Sequence, residues 1–393
     1  MSIKKITAAV LAVVMCMGCL SACGKKTDED KSSSNSEKSS AGTADTKQEV
    51  NMEIRDISSW ELVQEMSVGW NLGNTFDATG DLGLGNETAW QPNTTTEDMI
   101  KLLHDTGFDV FRLPVTWDSH MDENYNVDPE WMARIHEVVD WGINNGMFVI
   151  LNTHHEEWYF PTEEDKAQDI EQLTALWKQI AEEFKGYDEH LIFEGLNEPR
   201  KRGTNVEWNG GDNEGQLVVA DYAKAFYETV RATGGNNEKR HLMLTGYAAS
   251  SSRNALEQVW LPENDDKVIV SVHAYLPYSM ALDINGTDKF DENNTEIDSL
   301  FYNLKDLFLS KNIPVIIGEY GTVNKDNLED RIACAKKYIG YGAENHVPMI
   351  WWDNNAFFGN GENFGLMGRE APAEWRTPEL VDAIIEQGKK YKS

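Results

Sequence analysis

Short apolar runs alternate with longer amphipathic segments through almost the whole chain from residue 54 onward. The short runs are rich in β-branched residues and have the length of single strands. The segments between them carry apolar residues three or four positions apart, which is the spacing of a helix that buries one face. This alternation is typical of parallel β/α units and restricts the fold to an open doubly wound sheet or a closed barrel.

Eight strand candidates can be counted in this pattern. They cover residues 68–72, 110–114, 148–152, 191–194, 242–245, 268–272, 315–318 and 349–351, and the helix candidates cover 95–105, 129–144, 169–184, 217–232, 297–309 and 327–340. Eight units favour closure, because a closed barrel leaves no sheet edge exposed. We therefore predict an α/β fold of the (β/α)8 TIM barrel type, with residues 51–393 in a single domain.

The helix over 129–144 has the clearest boundaries, since Asp128 and Pro129 favour a start and Gly146 favours a stop. The crossover at 253–259 is too short for a helix of ordinary length.

The first fifty residues lack this alternation. Residues 1–22 have a basic start at Lys4 and Lys5, an apolar run and then small residues, which are the features of a secretory signal peptide. The apolar run is too short to span a bilayer comfortably. Residues 23–50 are mostly polar and have too little apolar surface to offset the entropy of ordering, so we expect a flexible linker there.

The junction between these two segments, Leu20-Ser21-Ala22-Cys23, resembles the lipobox of bacterial lipoproteins. The resemblance implies cleavage before Cys23 and acylation of its sulfur. The protein would then be extracellular, on the cell surface, and lipid-anchored to a bacterial membrane through Cys23. Plain secretion with cleavage nearby is the alternative.

Charge and cysteine content exclude some classes of function. The formal net charge of −31 opposes nucleic acid binding, because a phosphate backbone would be repelled, whereas a neutral polysaccharide would not. The chain has 13 tryptophans, enough to build a core and still supply a binding cleft. Cys334 is the only cysteine beyond the N-terminal segment, which rules out a disulfide within the predicted domain and favours a buried thiol.

Polar and aromatic residues that would pack poorly in a core follow six of the predicted strands. The carboxyl ends of barrel strands share one rim, and barrel enzymes carry their active sites there. These strand-end residues are Asn71, Asn74, Arg112, His154, Asn197, Glu198, His273, Tyr275 and Glu319.

Two of these residues are glutamates that end apolar strands. Glu198 follows a strand in Leu191-Ile192-Phe193-Glu194-Gly195-Leu196-Asn197-Glu198-Pro199, and Glu319 stands in Ile316-Ile317-Gly318-Glu319-Tyr320. Glycoside hydrolysis uses two carboxyl groups: one protonates the leaving oxygen, and in retaining enzymes the other attacks the anomeric carbon from roughly 5 to 5.5 Å away. The pair therefore favours a glycosidase.

These motifs resemble glycoside hydrolase family 5, and most closely its subfamily 4 endoglucanases and xyloglucanases. The likeness covers nearly all of residues 66–370 and includes Gly69-Trp70-Asn71-Leu72-Gly73-Asn74-Thr75-Phe76-Asp77-Ala78, Glu87-Thr88-Ala89-Trp90, Phe111-Arg112-Leu113-Pro114-Val115-Thr116-Trp117 and Leu151-Asn152-Thr153-His154-His155. It implies a single catalytic barrel domain over 51–393 that acts as a retaining endo-β-1,4-glucanase. Cellulose-type glucan, mixed-linkage glucan and xyloglucan are the implied plant substrates, with no cofactor and no metal ion.

The resemblance also implies a role for each residue around the scissile bond. Glu198 would be the acid/base and Glu319 the nucleophile. Asn197 would bind the 2-hydroxyl of the attacked sugar, a contact that strengthens towards the transition state. Arg112 would place positive charge beside Glu319 and favour its ionised form. Tyr275 would donate a hydrogen bond that orients Glu319.

The remaining positions match subsite contacts of the family. His154 and His273 would contact the sugar, and Trp352 would stack under it at the cleavage site, with Trp351 facing the helices. His155 follows His154 directly, and adjacent strand residues point to opposite sides, so a loop or helix contact is its alternative role. Five other tryptophans fit the cleft and the core equally well: Trp70, Trp90, Trp117, Trp158 and Trp208.

Several alternatives remain open on the sequence. The family also contains β-mannanases and xylanases. His154, His155, Glu156 and His273 would suit a metal-dependent hydrolase, although an adjacent histidine pair on a strand chelates one ion poorly. A non-catalytic polysaccharide-binding surface lipoprotein should lack a catalytic carboxylate, and both are present. We expect a monomer whose partners are a plant β-glucan and a membrane.

Overall fold

Eight parallel strands close into a barrel in the computed structural model, which describes residues 50–392. β1 pairs with both β2 and β8, so that Trp70 is aligned with Phe111 on one side and Trp351 on the other. The strands are β1 Val68–Leu72, β2 Val110–Leu113, β3 Phe148–Asn152, β4 Leu191–Glu194, β5 Leu242–Ser250, β6 Val268–His273, β7 Val315–Tyr320 and β8 Met349–Asp353. The predicted (β/α)8 barrel is confirmed.

Helices follow most of the strands and cover the outside of the barrel. They are α1 Ser59–Val63, α2 Glu97–Thr106, α3 Pro129–Asn144, α4 Lys166–Glu183, α5 Asn213–Ala232, α6 Arg253–Leu256, α7 Tyr278–Ala281, α8 Glu296–Leu307, α9 Leu328–Asn345 and α10 Pro378–Gly388. A two-stranded hairpin of β9 Met367–Gly368 and β10 Glu374–Trp375 follows β8. The predicted signal peptide at 1–22 and the predicted linker at 23–50 lie almost entirely outside the described residues and stay predictions.

Two apolar layers hold this arrangement together. The inner layer fills the lower half of the barrel, and α1 closes it from below with Leu62 and Val63. The larger outer layer lies between the strands and the surrounding helices. The inner layer consists of one or two side chains from nearly every strand: Val110, Phe148, Ile150, Ile192, Met243, Ile269, Ile316 and Ile350.

Local signals explain where α3 begins and ends. The Asp128 side chain accepts a hydrogen bond from the Glu130 backbone N–H, and Pro129 occupies the first turn, where its missing N–H costs nothing. Gly146 has φ +75°, a left-handed conformation that favours glycine and stops the helix. The predicted bounds of this helix are confirmed.

β5 runs five residues beyond its predicted end at Thr245. The extra residues contain a bulge, with Ala248 and Ala249 in the left-handed region at φ 54° and 46°. The Ala248 N–H donates to the carbonyl of Pro199, the residue after Glu198, at 2.9 Å. Strained backbone of this kind often supports a functional site. The crossover that follows contains only the one-turn helix α6, as its short length predicted.

The described chain begins at the lower end of the barrel, where the strands start. The Met52 N–H donates to the Gly186 carbonyl just before β4, at 2.7 Å, and the Asn236 side chain donates to the Met52 carbonyl at 2.8 Å. Asp56 forms an ion pair with Lys267 at the start of β6. Among residues 50–392, no helix has both the length and the apolar content needed to cross a membrane.

Candidate active site

A polar layer lies above the apolar filling of the barrel. Strand side chains alternate between the two faces, so Arg112 points inward two residues after Val110, and Glu194 points inward two residues after Ile192. Arg112 and Glu194 are fully buried. The barrel therefore brings side chains from distant parts of the sequence to the upper rim, including the strand-end residues predicted to form the site.

Glu198 and Glu319 face each other across this rim. One oxygen of each carboxylate and one nitrogen of His273 all lie within 4.8 Å of one another. The Glu198 side chain is 14% exposed and the Glu319 side chain 7% exposed, so both carboxylates can still be reached by a ligand. An inverting glycosidase holds its two carboxyl groups roughly 6.5 to 9.5 Å apart, so that a water fits between one carboxylate and the sugar. Glu198 and Glu319 are too close together for that water.

Arg112 is the centre of the hydrogen-bond network below the two glutamates. Its Nη1 donates to Glu319 Oε1 at 2.8 Å and to Asn71 Oδ1 at 2.9 Å. Its Nη2 donates to Asn197 Oδ1 at 2.8 Å, and its Nε donates to Glu194 at 2.7 Å. Because Asn197 Oδ1 is taken, the Asn197 amide N–H groups are left to donate upward into the cleft. Arg112 thus orients both Glu319 and Asn197.

The second oxygen of Glu319 accepts from Tyr275, whose hydroxyl lies 2.8 Å from Oε2. Burial raises the pKa of Tyr275, and the negative charges of Glu319 and Glu198 raise it further, well above its usual value. The phenol therefore stays protonated and remains a donor. With Arg112 on one oxygen and Tyr275 on the other, the plane of the Glu319 carboxylate is fixed.

Glu198 and His273 share a proton, with His273 Nδ1 2.9 Å from Glu198 Oε1. Burial raises the pKa of Glu198, but the hydrogen bond and the charges of His273 and Arg200 outweigh burial and lower it overall. Burial lowers the pKa of His273, whereas the charges of Glu319 and Glu198 outweigh burial and raise it overall. Groups this close titrate as a pair. Both shifts favour the form of the pair in which His273 Nδ1–H donates to the Glu198 carboxylate.

Trp352 forms one wall of the site. Its ring is parallel to that of His154, with 5.6 Å between centroids, and it packs against Val323 and Phe364. The loop after β1 passes so close that a Cβ at Gly73 would lie 2.7 Å from the indole. Trp351 points the other way and donates from its indole N–H to the Phe364 carbonyl in the outer layer. The two adjacent tryptophans therefore point in opposite directions, Trp352 towards the site and Trp351 towards the helices, as strand alternation predicted.

The remaining aromatic candidates divide between core and cleft. Trp70 and Trp117 are fully buried, whereas Trp90 and Trp208 are 44% and 62% exposed on loops of the upper rim, and Trp158 is half-buried. His155 is half-buried and lies against the Trp90 ring, with 5.6 Å between centroids. It is therefore at the edge of the site rather than beside Glu319.

Glu194 belongs to this network, although no motif singles it out. Its carboxylate accepts from Arg112, from the Asn152 amide at 3.2 Å and from the Ser271 hydroxyl at 2.5 Å. The sequence does contain a signal for it. A glutamate on the inward face of a fully buried strand needs a charged or hydrogen-bonding partner, because an unpaired buried carboxylate is too costly.

The metal-dependent alternative depends on Glu156 acting together with the rim histidines. Burial raises the pKa of Glu156 to about 8, so below that pH it is a neutral carboxyl and a poor metal ligand. Donor atoms of Asp77, His154 and His155 lie within 4.8 Å of one another. Both Asp77 oxygens, however, accept backbone N–H groups of their own turn. Glu156 and Asp77 are therefore occupied by hydrogen bonds from backbone N–H groups rather than presented together to one ion.

Comparison with known proteins agrees with this geometry. The family model for Cellulase (glycosyl hydrolase family 5) matches residues 76–358. Endoglucanase B of Ruminococcus albus is 50% identical over 410 aligned positions, which cover 100% of this chain and 98% of that protein. The likeness therefore extends through the N-terminal segment as well as the barrel.

Solved structures match the barrel closely. A GH5-4 broad specificity endoglucanase from Ruminococcus champanellensis with bound cellotriose has a TM-score of 0.82 at 40% identity, covering 85% of this chain and 100% of that one. A GH5 xyloglucan-specific endo-β-1,4-glucanase from a metagenomic library, in complex with cellotriose, has a TM-score of 0.80 at 38% identity, covering 83% and 98%. The chain therefore belongs to the cellulase family, glycosyl hydrolase family 5.

Proposed function

We propose that this chain is a retaining endo-β-1,4-glucanase that hydrolyses cellulose-type and related plant β-glucans by double displacement. The observation that carries the proposal is the pair Glu198 and Glu319, whose carboxylate oxygens come within 4.8 Å of each other at the open rim of the barrel. That spacing suits direct attack by one carboxylate on the anomeric carbon. The relatives described above, which are endoglucanases with cello-oligosaccharides bound in two cases, support the glucan class.

In the first step, Glu319 Oε attacks the anomeric carbon while the bond from that carbon to the leaving oxygen breaks. The leaving oxygen takes the electron pair of that bond and a proton from the Glu198 carboxyl, which is protonated when this step begins. Asn197 donates to the 2-hydroxyl, and Trp352 carries the face of the sugar ring. The product of this step is a glycosyl ester of Glu319.

In the second step, Glu198 takes a proton from water, and the water oxygen attacks the anomeric carbon from the face that the leaving group vacated. The bond to Glu319 breaks and its electron pair returns to the carboxylate. Two inversions give a product with the configuration of the substrate. Arg112 and Tyr275 hold Glu319 in place through both steps.

Product stereochemistry and a substrate panel test this proposal together. Proton NMR of a fresh cellopentaose digest should show the β-anomer first, before mutarotation. Barley mixed-linkage glucan, xyloglucan and carboxymethylcellulose should lose viscosity faster than they release reducing ends, whereas mannan and xylan should change little. Early α-anomer would contradict the nucleophile assignment. Faster cleavage of mannan or xylan would favour those activities, and retention in glucan gels without hydrolysis would favour a binding protein.

We also propose that the mature protein is held on the bacterial cell surface by acylation of Cys23. The support is the Leu20-Ser21-Ala22-Cys23 motif after an apolar run. Replacing Cys23 with serine should move most of the enzyme from the membrane fraction to the culture medium and abolish labelling by radioactive palmitate. Cys19→Ser, four residues earlier, is the matched control and should change neither. Equal release of both variants and of the unaltered chain would contradict the anchor.

A further inference from the structure

Glu194 and Glu319 bind different nitrogens of one guanidinium. Arg112 Nε donates to Glu194 at 2.7 Å, and Arg112 Nη1 donates to Glu319 at 2.8 Å. The side chains of Arg112 and Glu194 are 0% exposed, and that of Glu319 is 7% exposed. Screening by solvent is weak at this depth, so each carboxylate affects how strongly Arg112 attracts the other.

Glu194 is itself held in one orientation. Its Oε1 accepts from the Ser271 hydroxyl at 2.5 Å, and its Oε2 accepts from the Asn152 amide at 3.2 Å as well as from Arg112. Arg112 stands on β2, Asn152 on β3 and Ser271 on β6. A carboxylate with this many fixed donors is held in one orientation and cannot turn towards the cleft.

We propose that Glu194 is a positioning residue for the nucleophile, acting through Arg112. It binds the inner edge of the guanidinium, which fixes the plane that orients Glu319 and Asn197. It also balances part of the positive charge of Arg112, so that Glu319 is attracted less strongly and keeps more of its reactivity as a nucleophile. The inference rests on the proposed role of Glu319.

Glu194→Gln removes the negative charge of the side chain and nearly keeps its shape, so it tests the charge alone. A glutamine can turn its Oε1 towards Arg112 and its amine towards the Ser271 hydroxyl, which then accepts, so the network keeps its hydrogen bonds. Arg112 then has Glu319 as its one directly bonded carboxylate and stabilises it more strongly. We expect kcat on glucan to fall roughly ten- to a hundredfold, the size typical of groups that support a directly acting residue, with KM within about threefold.

Two measurements distinguish the loss of a positioning role from a loss of structure. The acid limb of the kcat/KM profile, where the nucleophile gains its proton, should move to lower pH in Glu194→Gln. The maximal rate of inactivation by 2,4-dinitrophenyl 2-deoxy-2-fluoro-β-cellobioside should fall, whereas binding of this reagent should not weaken. The reagent forms a stable ester with the nucleophile, and its leaving group departs without a proton. Both values are normalised to titrated active sites, so partial misfolding does not affect them.

Two variants serve as controls. Ser271→Ala removes one hydrogen bond to Glu194 but leaves its charge, so it should keep the acid limb of the unaltered enzyme whatever its kcat. Glu194→Asp keeps the charge on a shorter side chain and should restore the acid limb even if kcat stays low. An unmoved acid limb in Glu194→Gln, or a normal trapping rate, overturns the proposal. Trapping of a residue other than Glu319 would instead overturn the proposed function.

Discussion

Glu319→Ala is expected to lower kcat on β-glucan by at least about 10⁴-fold, because it removes the atom that bonds to the anomeric carbon. The folded structure should survive, since Arg112 keeps Glu194, Asn71 and Asn197 as partners when Glu319 is lost. Thermal unfolding checks this. Glu374→Ala, an exposed glutamate on the hairpin after β8, is the matched control and should keep full activity.

Azide then shows on which face of the sugar the carboxylate has been removed. In Glu319→Ala, azide should occupy the space of the lost carboxylate, attack 2,4-dinitrophenyl β-cellobioside from that side and yield the α-glycosyl azide. NMR of the product gives the anomer directly. Turnover of Glu319→Ala within tenfold of the unaltered enzyme, or release of the β-azide, would show that Glu319 is not the nucleophile.

Glu198→Ala is expected to lower kcat on β-glucan by about 10² to 10⁴-fold, the range for loss of general acid and base catalysis. The first step on 2,4-dinitrophenyl β-cellobioside should be nearly unaffected, because dinitrophenolate leaves without a proton. Hydrolysis of the glycosyl ester then becomes limiting, so stopped-flow absorbance should show a burst of dinitrophenolate. Azide should speed the steady state and give the β-glycosyl azide, the opposite anomer to that from Glu319→Ala.

The pH profile gives a second test of Glu198. In the unaltered enzyme, activity should fall as pH rises through the loss of the one proton that Glu198 and His273 share. The hydrogen bond lowers the pKa of Glu198 and the two carboxylates raise that of His273, so this proton is lost from the pair rather than from an isolated carboxyl. With azide as nucleophile, Glu198→Ala should lose this basic limb. Its persistence would mean that another group supplies the acid.

The sequence predicted the barrel well because its strands are bounded by strong local signals. Strand 148–152 follows Gly146 and precedes His154, and its observed bounds agree with the prediction. The ends of β5 and β7 were predicted too early. β7 continues through Glu319 to Tyr320 because Tyr320 pairs with Trp351 on β8, and such pairing between distant segments leaves no local mark in the sequence.

Backbone strain and buried charge also limited what could be predicted from the sequence. Alanine has no preference for the left-handed region, so the bulge at Ala248 and Ala249 is imposed by the neighbouring strand and by Pro199, and it could not be predicted from residue types. The predicted site residues were those with family motifs. Glu194 has its partners on β2, β3 and β6, and only their assembly shows that its charge is matched.

The point where the described chain enters the barrel has a consequence for how the enzyme meets its substrate. Met52 and Asp56 are bound at the end where the strands start, whereas Glu198 and Glu319 lie at the opposite pole. Residues 50–56 therefore lie away from the mouth of the barrel and do not cover the cleft, so a polymer chain can approach both glutamates along the open rim.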